Sequence, residues 1–377
     1  MNYQLRREKL MTSLEKTGIN KILIQDRENI YYLSGFSYTV SGRPTGLLMI
    51  GDKSTLIIPR IAEGMAQATV RDADLSVYYE QPEGASEGVS FYAKLAKALL
   101  PGSPGGNIGV EAGRLSLSDL KFLNSLGFQV QDINGHLLHM RAVKEAEELD
   151  TIRVAGRYVD YNVQKSLASI HPGISEIEID QRGVMALHQE VEAHHPGTDL
   201  GYFSLTVLGA TRTVMPHTYS SMRKMRPDDP AVLCRQVTIN GYNAQCDRVV
   251  FLGGPNQEQK KYYSLVLHAH EAGMEVIRPG ILACQVDKAI REVYEKAGVS
   301  QYCVHRSGSG IGIGRQEAPY LSFNSQELIR ANMALIVQPA LYIPGVGGFR
   351  CTDTVIVQEG GKEIITSCPR GINALTL

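Results

Sequence analysis

Beyond about residue 138 the sequence places helices ahead of antiparallel-type strands, and it does so twice. The charged string MRAVKEAEELDTIRVAGRYVDYNVQKSLASI has helical periodicity until His171-Pro172-Gly173, where Pro and Gly stop it. Ser175 then offers an N-cap with Glu178 three residues on, a capping box that starts a second helix. Strand candidates YFSLTVLG, AVLCRQVTIN and AQCDRVVFLG follow. Two more helices, at about 257–276 and 283–297, precede the strand-rich strings CVHRSGSGIGIG, MALIVQPALYIPG and FRCTDTVIVQEGGKEIIT. An α+β domain with an internal pseudo-repeat accounts for this order.

The first part of the chain has a different texture. Ile22 to Ile24 form a buried-strand pattern ended by the polar run Gln25 to Asn29. GLLMI and STLIIP flank Gly51-Asp52-Lys53, which predicts a hairpin with a longer loop. Helices over Phe91–Leu100 and Leu117–Leu126 alternate with short strands near Ile108 and Val130, an α/β pattern. SPGGN at 103–107 reads as a loop, having neither the spacing nor the Lys of a phosphate-binding loop. The expected domains are 1–138 and 139–377.

Composition narrows the function classes. Lys and Arg number 38 against 39 Asp and Glu, so nothing supports nucleic-acid binding through whole-chain charge. No apolar run approaches the roughly 18 to 20 residues of a membrane span. The first 18 residues read as a charged amphipathic helix and not as a signal peptide. Six cysteines without a CxxC pair read as reduced, mostly buried thiols. The expectation is a soluble, cytoplasmic protein with neither nucleic acid nor membrane as partner.

The strings PHTYSSMR, VTINGYNAQCDRVVFLGG, RSGSGIGIGRQEAP, MALIVQPALYIPG and GFRCTDTVIVQEGG, in this order, resemble the creatinase / aminopeptidase P / prolidase superfamily. NIYYLSGF and SGRPTGLLMI resemble the smaller α/β domain of its creatinase and aminopeptidase P branches. The resemblance implies a "pita-bread" catalytic domain, a pseudo-two-fold α/β repeat with antiparallel sheet, behind a creatinase-type N-terminal α/β domain. Metallopeptidases of the superfamily hold two metals with two Asp, one His and two Glu. Here those places fall on Cys234 or Arg235, Gln245, Ser309, Gln338 and Thr352. Hard divalent ions need concentrated negative charge, so the expectation is no metal and no cofactor.

The resemblance then points to the metal-free creatinase branch. It implies His217 as general acid/base, since imidazole passes protons both ways. Asp247 would be its catalytic partner, holding the substrate or attacking it as a nucleophile, although it also reads as a strand-end partner of Arg248. Arg43 would grip a substrate carboxylate with its paired donors, in a string whose aromatic position is Ser41. Tyr242, Ser309, Arg315, Gln338, Arg350 and Cys351 complete the expected substrate-binding set. The activity this implies is a metal-independent hydrolase cleaving a C–N bond of a small carboxylate. The alternatives are a lyase using the same base, a catalytically silent binding protein and, lowest in the order, a metal-dependent Xaa-Pro peptidase. The expected assembly is a homodimer in which Arg43 completes the partner's active site.

Overall fold

In the computed structural model the chain divides into two units, Met1–Met140 and Arg141–Leu377. The described residues are 1–37, 42–80, 90–101 and 105–377; Ser41, Ser103 and Pro104 lie outside them. The elements run α1 (Tyr3–Leu14), β1 (Lys21–Ile24), α2 (Arg27–Ser34), β2 (Gly46–Ile50), β3 (Lys53–Pro59), α3 (Glu63–Thr69), β4 (Asp74–Tyr78), α4 (Phe91–Leu99), β5 (Gly106–Val110), α5 (Leu117–Ser125), β6 (Phe128–Asp132) and α6 (Asn134–Ala142). Their sheet has the order β4-β3-β2-β1-β5-β6. It is antiparallel where the β2–β3 hairpin joins β1 and parallel at β3–β4, β1–β5 and β5–β6. The uninterrupted apolar run Ile22 to Ile24 is fully buried near the middle of this sheet.

Helix α2 follows a run that the sequence marks only as a strand end. Asp26 makes the helix, because its carboxylate accepts the backbone N–H groups of Glu28 and Asn29. Buried Glu111 holds the turn before it by accepting from the backbone of Gln25 and Asp26 and from the amide of Asn29. Gly35, at φ 76°, closes the helix in the left-handed region.

The second unit opens with α7 (Ala146–Ala168) and α8 (Glu176–His194), followed by β7 (Leu200–Leu208), α9 (Ala210–Thr213), β8 (Pro230–Ile239) and β9 (Tyr242–Phe251). Next come α10 (Gln257–Val276), α11 (Ala283–Lys296), β10 (Gly308–Gly310), β11 (Glu317–Leu321), β12 (Ala334–Val337), β13 (Ala340–Ile343), β14 (Gly347–Arg350), β15 (Asp353–Gln358) and β16 (Gly361–Ile364). They form a β7-β8-β9 sheet, a β11-β10-β12-β15-β16 sheet and a β13-β14 hairpin. The Ser175–Glu178 capping box is present, with the Ser175 N–H 2.8 Å from the Glu178 carboxylate. Arg141 and Lys144 fix the entry to α7 by reaching buried Glu317 on β11, at 2.7 and 2.8 Å.

Two local features set the register around the site. Asn240 and Gly241 are the two loop residues of the β8–β9 hairpin, both at positive φ, as a primed turn requires. That turn places Cys234 directly across from Asp247. In β10, a Cβ on Gly308 would come within 2.0 Å of the Ile336 carbonyl oxygen, and one on Gly310 within 2.4 Å of that of Ala318. The glycines of GSGIG therefore serve close packing of strands. Among the described residues no helix is long and apolar enough to cross a membrane.

Candidate functional site

Strand pairing aligns side chains in rows on one face of the β7-β8-β9 sheet. Leu205, Cys234 and Asp247 form one row, and Phe203, Gln236 and Gln245 the next. An isolated antiparallel bridge joins Asp247 to Thr352, bringing the segment between β14 and β15 alongside β9.

Asp247 is fully buried and is the hub of the site. Its Oδ2 accepts from Gln245 Nε2 at 2.9 Å, Gln338 Nε2 at 2.8 Å and Thr352 Oγ1 at 2.6 Å. Its Oδ1 accepts from the Arg235 backbone N–H. Arg350 Nε lies 3.2 Å from Oδ2 and makes a buried ion pair. The same guanidinium donates to Cys234 Sγ and lies beside the Tyr342 hydroxyl. Burial opposes its charge, but the Asp247 carboxylate beside it favours the protonated guanidinium. Burial pushes the Cys234 thiol up to about 12, so at neutral pH it is no thiolate nucleophile.

Sequence reasoning misses two members of this cluster, Tyr342 and His305. His305 Nδ1 lies 2.7 Å from the Arg306 carbonyl, which can only accept, so that nitrogen carries the proton. Nε2 then accepts from the Tyr342 hydroxyl at 3.0 Å. Burial lowers the imidazole to about 4, so the ring is neutral at pH 7. A continuous string thus runs from Arg306 through His305, Tyr342 and Arg350 to Asp247. A lone His four residues before Ser309 carries no sequence signal, and only the fold brings it to Tyr342.

The expected site residues separate. Asp247, Gln338 and Arg350 come together as described. His217 is exposed in the segment after α9, close enough to His305 for its charge to act on that ring. Arg315 lies 4.4 Å over the Phe203 ring and donates to Gln236, beside the hub but not on it. Three other assignments are corrected. Tyr242 projects to the opposite face because it has the other strand parity, and its hydroxyl donates to buried Glu148 at 2.8 Å. Ser309 donates to the Gly310 carbonyl, and among the described residues no hydrogen bond joins it to Asp247. Cys351 points into the core beside His270 and Asp353. Arg43 belongs to the first unit, where it pairs with Glu80 at 2.8 Å. Arg248 turns away from Asp247 and pairs with Asp353 at 2.7 Å. Arg235 likewise leaves the site face for Asp180 at 3.0 Å, so Cys234 is the residue at that place.

The family can now be stated. Residues 150–359, more than half of the chain, match metallopeptidase family M24, and residues 6–143 match the creatinase/prolidase N-terminal domain. The chain belongs to family M24 and has its two-domain pita-bread fold with mixed α/β content. Among its relatives is an Xaa-Pro dipeptidase of Pyrococcus furiosus, 26% identical over 97% of this chain and 98% of that protein. The putative dipeptidase YkvY of Bacillus subtilis is 26% identical over 97% and 99%. A dipeptidase structure from Pyrococcus horikoshii has 26% identity, covers 99% of this chain and 100% of its own, and gives a TM-score of 0.86. These relatives overturn the assignment to the metal-free creatinase branch. With it falls the expected metal-independent creatinase-like hydrolase, and nothing supports the lyase.

Family membership implies metal, and the donors present do not fit a metal pair. Cys234, Gln245, Ser309, Gln338 and Thr352 contribute no carboxylate and no imidazole. The one carboxylate of the hub, Asp247, already accepts from two amides and a hydroxyl and faces the Arg350 guanidinium. A fixed guanidinium 3.2 Å from it repels a divalent cation. The buried trio His270, Cys351 and Asp353 is no substitute, since Asp353 accepts from Arg248, Arg370 and Thr366.

Proposed function

We propose that this chain is a peptidase-type hydrolase by class and takes a short peptide of the Xaa-Pro kind at the Asp247 face of its second unit. The observation carrying this reading is the end-to-end similarity to Xaa-Pro dipeptidases, 97% of this chain against 98% of the relative. The side chains support recognition in a consistent way. Arg315, stacked on Phe203 and exposed, offers donors to a peptide carboxylate. His217, exposed beside the centre, can accept or return a proton at the peptide nitrogen. The Asp247 hub holds Gln245, Gln338 and Arg350 rigid beneath them, so that little ordering is left to the moment of binding. Six free thiols fit the reducing cytoplasm, where the same reading puts the protein.

Binding and cleavage are measured separately. Calorimetry with Ala-Pro, Leu-Pro and Met-Pro reports recognition, and free-proline release with and without added Mn²⁺ or Co²⁺ reports hydrolysis. The expected result is saturable binding that Arg315→Ala weakens, with proline released. Binding without release would leave a receptor for such peptides and refute the hydrolase part. No binding of any Xaa-Pro dipeptide would refute the whole reading.

A further inference from the structure

A second binding feature lies wholly within the first unit. A cavity of about 210 Å³ opens beside the start of α2. At roughly 30 Å³ per water this is space for about seven waters, enough for a compact organic molecule. Arg27, Arg43 and Arg114 line it together with Gln25, and none of the described lining residues is acidic. Arg114 and Arg43 are held by pairs with Asp26 and Glu80 just outside the lining, at 2.6 and 2.8 Å. Those pairs orient the guanidinium groups, and each guanidinium carries five N–H groups. Buried Ile30 and Phe36, with Pro44, supply an apolar wall.

The lining also contains a polar atom in need of a partner. Thr45 lines the cavity, and its hydroxyl is buried without a hydrogen bond. Buried polar groups are nearly always paired, so an orphan beside a cavity marks a place where a ligand atom completes the bonding. The Glu111 contacts that fix the Gln25–Asn29 turn keep Gln25 and Arg27 in place before any ligand arrives.

We propose that the first unit carries an oxyanion pocket for a small organic anion, a carboxylate or phosphate head on a compact apolar body. The guanidinium groups and Gln25 take the head, Thr45 bonds one of its oxygens, and Ile30, Phe36 and Pro44 cover the body. Guanidinium forks match carboxylate and phosphate geometry, which neutral molecules cannot exploit.

The test uses the full chain, calorimetry and thermal shift, with benzoate, phenyl phosphate, inorganic phosphate and neutral benzyl alcohol as probes. Benzoate or phenyl phosphate is expected to bind and benzyl alcohol to fail; which of the two binds tells carboxylate from phosphate. Arg27→Gln combined with Arg114→Gln should weaken binding by about tenfold or more, both residues being exposed and tolerant of change. Thr45→Val should leave the Tm of the free protein unchanged or higher and still weaken the anion, because only the bound state uses the hydroxyl. Absence of binding by both aromatic anions at millimolar concentration would overturn the proposal. So would unaltered binding in the arginine or Thr45 variants. Inorganic phosphate binding as tightly as phenyl phosphate would overturn the apolar wall's role.

Discussion

Arg350→Met tests whether the ion pair with Asp247 organises the site. At 3.2 Å and an effective dielectric near 20, the Coulomb attraction is about 5 kcal/mol before desolvation is counted. Asp247 is fully buried and the Arg350 side chain is 12% exposed, so solvent screening removes little of it. Deleting the guanidinium leaves Asp247 ionised among three neutral donors, and removal of one partner from a buried pair costs about 3–5 kcal/mol. Asp247→Asn strands Arg350 and should cost a similar amount. Replacing both, Asp247→Asn with Arg350→Met, removes both charges, and the loss should fall short of the sum by about 2 kcal/mol. The chain has no tryptophan, so urea unfolding at pH 7 is followed by far-UV circular dichroism with tyrosine emission from its 18 tyrosines. Single-variant losses below about 1 kcal/mol, or a double variant equal to the sum, would refute the ion-pair argument.

His305 makes stability depend on pH: its imidazole is lowered to about 4, so the unfolded chain binds more protons between pH 6.5 and 4. Stability should fall as pH drops through that window, by up to about 3 kcal/mol, and His305→Asn should flatten the fall in a Tm-against-pH series. Titration with Mn²⁺ should show no tight pair of sites, and two ions bound per chain by calorimetry would contradict the reading of the donor set. The homodimer with a shared site, a proposal resting on Arg43 alone, predicts that mixed Arg43→Ala and His217→Ala chains regain dipeptide turnover that neither has. Subunit exchange without regained turnover would remove it.

The capping box at Ser175, the helix at 257–276 and the hairpin around Gly51-Asp52-Lys53 were legible because each rests on contacts a few residues apart. Helix α2 was not: its cap, Asp26, sits inside a polar run, and the Glu111 that secures the turn lies 85 residues downstream of it. The departures at Gln245, Ser309, Gln338 and Thr352 could be read as letters. What those letters do could not, because Gln338 and Thr352 reach Asp247 across 91 and 105 residues.

By itself, then, the sequence determined the order of elements and the loss of acidic and imidazole donors at the family's metal positions, because caps, breakers and residue chemistry are local. Tertiary structure decided which side chains act together. Strand parity sent Tyr242 away from the site, and packing beside His270 and Asp353 did the same for Cys351. Packing of the segment between β14 and β15 against β9 delivered Arg350 to Asp247, and the β13–β14 hairpin carried Tyr342 to His305. These pairings join residues remote in sequence, and only the closing of the sheets brings such groups within hydrogen-bonding distance.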